Sequence, residues 1–350
     1  MHGRVSAVRL ATRRLVMGAA AVAVGMTGIV VGAVRDHTGS LVAAAVTGPM
    51  AQPAASPGPL DAQFFRLHEP ARTVVVDAGG MVVATLTDGA RTATLEGPER
   101  TFAEPQFTAA KVVSRVWVRL LPQPWQSGLE RAPWFWQWLE ENRASTAPDV
   151  LAVATEYFDG APDGRDAAGV RVRGDAGFGP PGPPGALPRE NSDFADYLGV
   201  PWTFADGQVR DPEPERYGSV DCSGFVRLVY GYRAGYPLLA TNVAGPELPR
   251  RAWAMAELGP GVPVVTSEAG EPSDLRTLQP GDLLFFDLDQ APDGRNDHSA
   301  IYLGLDDAGQ HRFVSSRIRA EGPALGDLGG VSLLDGDGRY ARAFRVAKRL

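Results

Sequence analysis

Three apolar runs near the C-terminal end, each of strand length and each bounded by turn residues, constrain the fold of this chain more than any other feature. Leu278-Gln279-Pro280-Gly281-Asp282 is a Pro-Gly turn feeding Leu283-Leu284-Phe285-Phe286; a second run, His298 to Gly304, follows it. After Asp306–Gly309 a third run, Arg312 to Ser316, completes a meander. Gly and Pro number 41 and 29 among 350 residues, one residue in five against a combined average of about 12%. Long loops are therefore expected, and an all-helical bundle is excluded.

Upstream of the meander lies the only cysteine, in Asp221-Cys222-Ser223-Gly224-Phe225-Val226-Arg227-Leu228-Val229-Tyr230. Cys222, Phe225, Val226, Val229 and Tyr230 recur at helical spacing, which predicts a helix with Cys222 in its first turn and Asp221 as its N-cap. A thiol at a helix start feels the positive end of the dipole, and its pKa is expected to fall. The same position also suits a small hydrophobe on a core face. His298 stands at the mouth of the second strand, so Cys followed by His is the chain order of a thiolate–imidazolium pair.

The N-terminal part is organised differently. Residues 1–14 carry Arg4, Arg9, Arg13 and Arg14 without an acid, and Leu15 to Val34 are twenty uncharged residues, long enough to cross a bilayer core as a signal or transmembrane helix. The basic leader predicts a cytoplasmic N-terminus and an extracytoplasmic remainder, either membrane-anchored in a single pass or secreted. Residues 35–59 read as an Ala/Pro/Gly/Ser linker without a fold. Residues 60–145 read as a β-rich accessory module, with runs at Thr73–Asp77, Met81–Thr87, Arg91–Leu95 and Val112–Leu121. Five of the seven Trp fall between Trp117 and Trp138, which predicts a packing seam in preference to a ligand platform. Residues 146–350 form the remaining domain, with a Gly/Pro-rich surface insertion at 161–188.

Some classes are excluded. The net charge is −7 with no long basic run, which argues against nucleic acid as a partner. One Cys makes neither an internal disulfide nor a Cys-rich metal site. Asp287, Asp289 and Asp293, like Asp335 and Asp337, lack the complete loop that calcium needs, so no metal is expected.

Five pieces carry a resemblance: Leu198-Gly199-Val200-Pro201-Trp202, Asp221 to Val226, Leu248-Pro249-Arg250-Arg251, Pro280 to Phe286 and His298 to Gly304. In that order and spacing, over about residues 192–318, the chain resembles the NlpC-type family of papain-like cell-wall cysteine peptidases. The resemblance implies an α+β fold in which the Cys-bearing helix packs on an antiparallel sheet. It implies a hydrolase, a thiol endopeptidase cleaving peptidoglycan stem peptides next to a D-glutamyl residue, with no cofactor. Cys222 would be the nucleophile, His298 the general base and acid, and the backbone N–H of Cys222 part of an oxyanion hole.

The chain departs from the family at Trp202, where a Tyr is usual; Tyr217 either restores the hydroxyl or simply packs. Trp202, Tyr217 and Ser223 are taken as the substrate-binding positions. The third catalytic position falls on Ser315 by alignment, whereas hairpin register alone allows Ser315 or Arg317 opposite His298. His311 is expected to be exposed at the hairpin end. The departures keep a second function open, a cell-wall binding or scaffold protein with a weakly active peptidase fold; a third is another papain-like activity, such as amidase or acyl transfer, using the same Cys and His.

Overall fold

A computed structural model describes residues 30–35, 41–46, 62–267, 274–289 and 293–350. The leader at 1–14, most of the uncharged run and most of the linker lie outside the described residues. Val30–Arg35 (β1) pairs antiparallel with Leu41–Val46 (β2). The end of the run expected as a membrane helix is thus extended, and so is part of the linker expected to have no fold. Both segments are rich in valine, whose branched side chain favours strands. Among the described residues no helix is long and apolar enough to cross a membrane.

The β-rich stretch forms a five-stranded antiparallel meander. Its strands are Gln63–Leu67 (β3), Arg72–Val76 (β4), Val82–Thr87 (β5), Thr92–Ala103 (β6) and Lys111–Leu120 (β7), in sequence order. Helix Pro133–Ala144 (α1), with Pro in its first turn, lies on one face of this sheet and buries Phe135 and Leu139 among Val75, Leu86, Leu95 and Trp125. Trp117, Trp134, Trp136 and Trp138 pack around that cluster. Trp138 donates its indole N–H to Leu120 O (3.1 Å), and Trp125 donates to Thr73 Oγ1 (3.1 Å). The tryptophan-rich segment is a seam, as its composition suggested. On the other side, Phe102, Val112, Val116 and Val118 join the largest core of the protein, together with Phe225, Phe285, Ile301 and Val314.

That core continues through Val150–Thr155 (α2), whose N-cap Asp149 also receives both Nη groups of Arg100 at 2.6 Å. The Gly/Pro-rich insertion contains a small hairpin, Gly164–Arg165 (β8) with Arg171–Arg173 (β9). Phe194–Leu198 (α3) follows, closed by an Asp193/Asp196 capping box and by left-handed Gly199. A second small hairpin joins Trp202–Thr203 (β10) to Val209–Arg210 (β11). Cys222–Val226 (α4) then runs directly into a π-helical turn over Arg227–Arg233.

After Ala252–Glu257 (α5) come Val262–Thr266 (β12), Leu283–Phe286 (β13), His298–Leu305 (β14), His311–Arg317 (β15) and Gly322–Ala324 (β16). Arg339–Ala343 (α6) passes straight into Phe344–Arg349 (β17). These strands form an antiparallel sheet of order β12-β17-β13-β14-β15-β16. Helix α4 packs on β14 and β15, which gives an α+β architecture with the Cys-bearing helix on the sheet.

Candidate active site

The first turn of α4 is fixed by charge. Asp221 Oδ1 accepts the N–H of Gly224 (2.7 Å), and Arg250 reaches Asp221 Oδ2 (2.8 Å) and Ser223 Oγ (2.7 Å). Behind it, buried Asp193 takes two hydrogen bonds from the fully buried Arg227 (2.9 and 3.1 Å) and lies 3.5 Å from Arg250. Arg227 also closes on the carbonyls of Leu239 and Leu248. Gly224 is required by a close approach: a Cβ there would stand 2.3 Å from the Ser192 carbonyl oxygen. The neighbour admitted by this glycine is the chain's own backbone.

This frame holds the Cys222 thiol at the start of β14. Sγ lies 3.8 Å from Asp297 O and receives the Ser299 N–H, so the residues on both sides of His298 touch the sulfur. The thiol is not acidified, contrary to the dipole argument. Burial pushes it up to about 12, and the Asp221 carboxylate adds to the rise; Ser299 N–H and Arg250 oppose them and lose. A helix capped by an anion offers its first residue little net positive potential, and the burial of the sulfur outweighs it.

His298 is buried, and burial pushes it down to about 3, with the positive charges of Arg317 and Arg339 adding to the fall and Asp221 opposing it. Its ring lies 5.8 Å from Phe286 and 5.6 Å from Tyr340. This makes an acid limit to stability. An unfolded His gains a proton near pH 6.5, whereas the folded one resists until about 3. Stability should therefore fall with pH below about 6.5, by up to a tenfold change in the folding constant for each unit contributed by this residue. Urea midpoints at pH 7 and pH 5 should differ more for the wild type than for His298→Gln.

The third position resolves through the register. Ile301 pairs with Val314 and Tyr302 with Phe313, and the ladder shifts between Tyr302 and Gly304. Continued along the strands, this sets Arg317 opposite His298 and Ser315 opposite Ala300, with both side chains on the face that His298 occupies. Ser315 is completely buried; its Oγ has no hydrogen-bond partner, and neither has His298 Nε2. His311 is partly buried beside Asp335, with Nδ1 at 3.1 Å from Oδ1, so it is paired and not free at the hairpin end.

The substrate-binding candidates are placed apart. Trp202 packs edge-on against Phe194 (5.2 Å) and Tyr232 (5.6 Å) as part of the core surface. Tyr217 is half-exposed, its ring against Gly199, with Arg171 and Tyr197 as its charged and polar neighbours. Ser223 is turned inward, and its hydroxyl is committed to Asp221 and Arg250. The sequence reading missed Tyr340, which sits against His298 and feels the charge of Cys222. No local pattern marks it, because Gly338-Arg339-Tyr340-Ala341 looks like any exposed turn. Among the described residues no cluster of three or more His, Cys, Asp or Glu could hold a metal ion.

The NlpC/P60 family profile matches residues 199–325, a span that contains Cys222, His298, Ser315 and Arg317 and ends before Tyr340 and β17. Among curated proteins none matches the chain. Those residues, fewer than half of the chain, are similar to the NlpC/P60 family.

Proposed function

We propose that the protein is a cysteine endopeptidase that hydrolyses peptidoglycan stem peptides next to a D-glutamyl residue, with Cys222 as nucleophile and His298 as base and acid. The observation that carries this reading is the meeting of the Cys222 thiol with the first residues of β14, where His298 begins the strand. The thiol gives its proton to the imidazole as Sγ attacks the scissile carbonyl carbon; the imidazolium then protonates the departing amine, and water releases the acyl group from sulfur. The backbone N–H of Cys222 heads α4, where the helix itself provides no acceptor for it, and is available to the oxyanion. Incubation with purified muropeptides, read by product mass, tests the reaction and the bond.

A scaffold role with weak turnover is favoured by one observation, the cation Arg317 opposite His298 in place of an acceptor. Ser315, whose buried Oγ is unbonded, is the candidate acceptor on the same face. Ser315→Ala should lower kcat by a factor of about 10, the effect of weakened orientation with the base retained; unchanged turnover would remove Ser315 from the site. We place the domain outside the cytoplasmic membrane, on the strength of the basic leader and the uncharged run after it. Protease accessibility of residues 62–350 in cells stripped of their outer layers tests this.

A further inference from the structure

The groups around His298 come from several elements. Arg317 faces it from β15, Arg339 and Tyr340 from α6, Asp221 from the cap of α4 and Phe286 from β13, while the Cys222 thiol meets the residues on either side of it. Asp287, Asp289, Asp293 and Asp297 lie on the adjoining loop. Asp297 spends its carboxylate on the N–H groups of Leu288 (2.9 Å) and Asp289 (2.7 Å), and Asp287 lies 3.8 Å from Arg345. Glu190 stands on the far side of Cys222 and faces Asp221.

A carboxylate, amide or second imidazole in place of Arg317 would accept the ring N–H of His298. A guanidinium has no lone pair to offer, only donors and a fixed positive charge. Arg317 is 1% exposed and cannot swing away. Its Nη2 donates to Gly326 O (2.8 Å), its Nη1 donates to Gly330 O, and its guanidinium carbon lies 5.6 Å from the centre of the Tyr340 ring. The loop that grips it is held in turn from the five-stranded sheet: Glu104 Oε2 accepts the N–H of Leu325 (2.9 Å) and of Gly326 (2.7 Å). Arg317 Nε, His298 Nε2 and Ser315 Oγ are all buried without hydrogen-bond partners, so no hydrogen bond from these groups compensates a second positive charge, and Asp221 at the cap of α4 is the anion that opposes the two arginines.

We propose that Arg317, backed by Tyr340, is a positioning residue that keeps His298 a neutral imidazole at rest, so that Cys222 waits as a thiol and is deprotonated only as it attacks. This rests on the peptidase reading of the site. The imidazolium formed on attack stands beside a fixed cation and is short-lived; it returns its proton to the departing amine instead of lingering as an ion pair with the thiolate.

The test is the titration of the His298 ring in the 15N-labelled full chain, followed by NMR, together with the pH dependence of iodoacetamide alkylation of Cys222. In the wild type the ring should stay neutral down to about pH 4, and alkylation should climb toward alkaline pH with no plateau between pH 5 and 8. Arg317→Gln should raise the ring's midpoint by at least about one unit, toward the usual value of about 6.5. Arg317→Lys, which keeps the charge, should stay close to the wild type. A wild-type midpoint near 6.5, a thiol reactive on a plateau from pH 5, or an Arg317→Gln midpoint that does not move would each overturn the proposal. If Arg317→Gln does not fold, Arg317→Met takes its place, and the wild-type alkylation profile decides if neither folds. Neither readout needs substrate, so a protein that titrates as expected but cleaves no muropeptide refutes the peptidase reading alone.

Discussion

Cys222→Ala leaves muropeptides uncut. Removing the sulfur removes the only route through a covalent acyl intermediate, and the expected loss in kcat/KM is on the order of 10⁴ or more, with whatever remains coming from binding and the oxyanion donors. His298→Ala should cost on the order of 10³ or more, because the thiol keeps its place but loses its proton acceptor. The two losses should not add in the double variant, since the thiol and the imidazole act as one unit. Circular dichroism and urea melts accompany the assay: Ala fits the space of a half-buried thiol at Cys222, so a folded protein without turnover assigns the residue to chemistry. Retained hydrolysis in folded Cys222→Ala would end the enzyme reading.

Asp193→Ala should bring the domain close to unfolding. Among the described residues Asp193 is the only carboxylate hydrogen-bonded to the fully buried Arg227, and it lies beside Arg250, which steadies the cap of α4. Burial raises the Asp193 carboxyl, and the charges of Arg227 and Arg250 overcome it and hold the group below its usual range. Deleting the anion leaves a guanidinium in the core, with a cost of about 3–5 kcal/mol, a large part of the roughly 5–15 kcal/mol that holds a domain together. A fall in the urea midpoint at constant slope would report it. Asp193→Leu combined with Arg227→Met should recover much of the loss, since an apolar pair strands no charge; a double variant as weak as the single one would show that shape, and not charge, is what the site requires.

The sequence made the helix at Cys222 and the strands after Pro280 legible because their signals are local: apolar spacing, a capping acid, a Pro-Gly turn. The register of the β14–β15 hairpin was not legible. The irregularity between Tyr302 and Gly304 inserts a residue without any sequence mark, and it is this shift that sets Arg317 opposite His298. Tyr340 was invisible for another reason: it reaches the site from beyond the meander, and only the tertiary fold brings α6 over β14 and β15. The thiol expectation failed because a dipole argument counts neither the burial of the sulfur, which is the larger cause of its rise, nor the acid that caps the helix; Asp221, read correctly as the N-cap, adds to the rise. The tryptophans between Trp117 and Trp138 were legible as packing, since five large rings within so short a stretch have more area to bury than a ligand surface needs. The first strand of the five-stranded sheet, β3, gave no signal, because Gln63 to Leu67 alternates only weakly and sits at the sheet edge.

The position of β17 also sets a timetable. The last strand lies between β12 and β13 and not at an edge, and Arg349 fastens it there through Asp282 and the hydroxyl of Thr87. A chain delivered from its N-terminus, whether by the ribosome or through a membrane pore, holds β12 and β13 apart across a strand-wide gap until residues 344–349 arrive. Until then β13, which presents Phe286 to the ring of His298, has an unpaired edge, and Tyr340 has no strand after it to anchor its helix. The cluster around Cys222 and His298 is therefore complete only once this strand is in place.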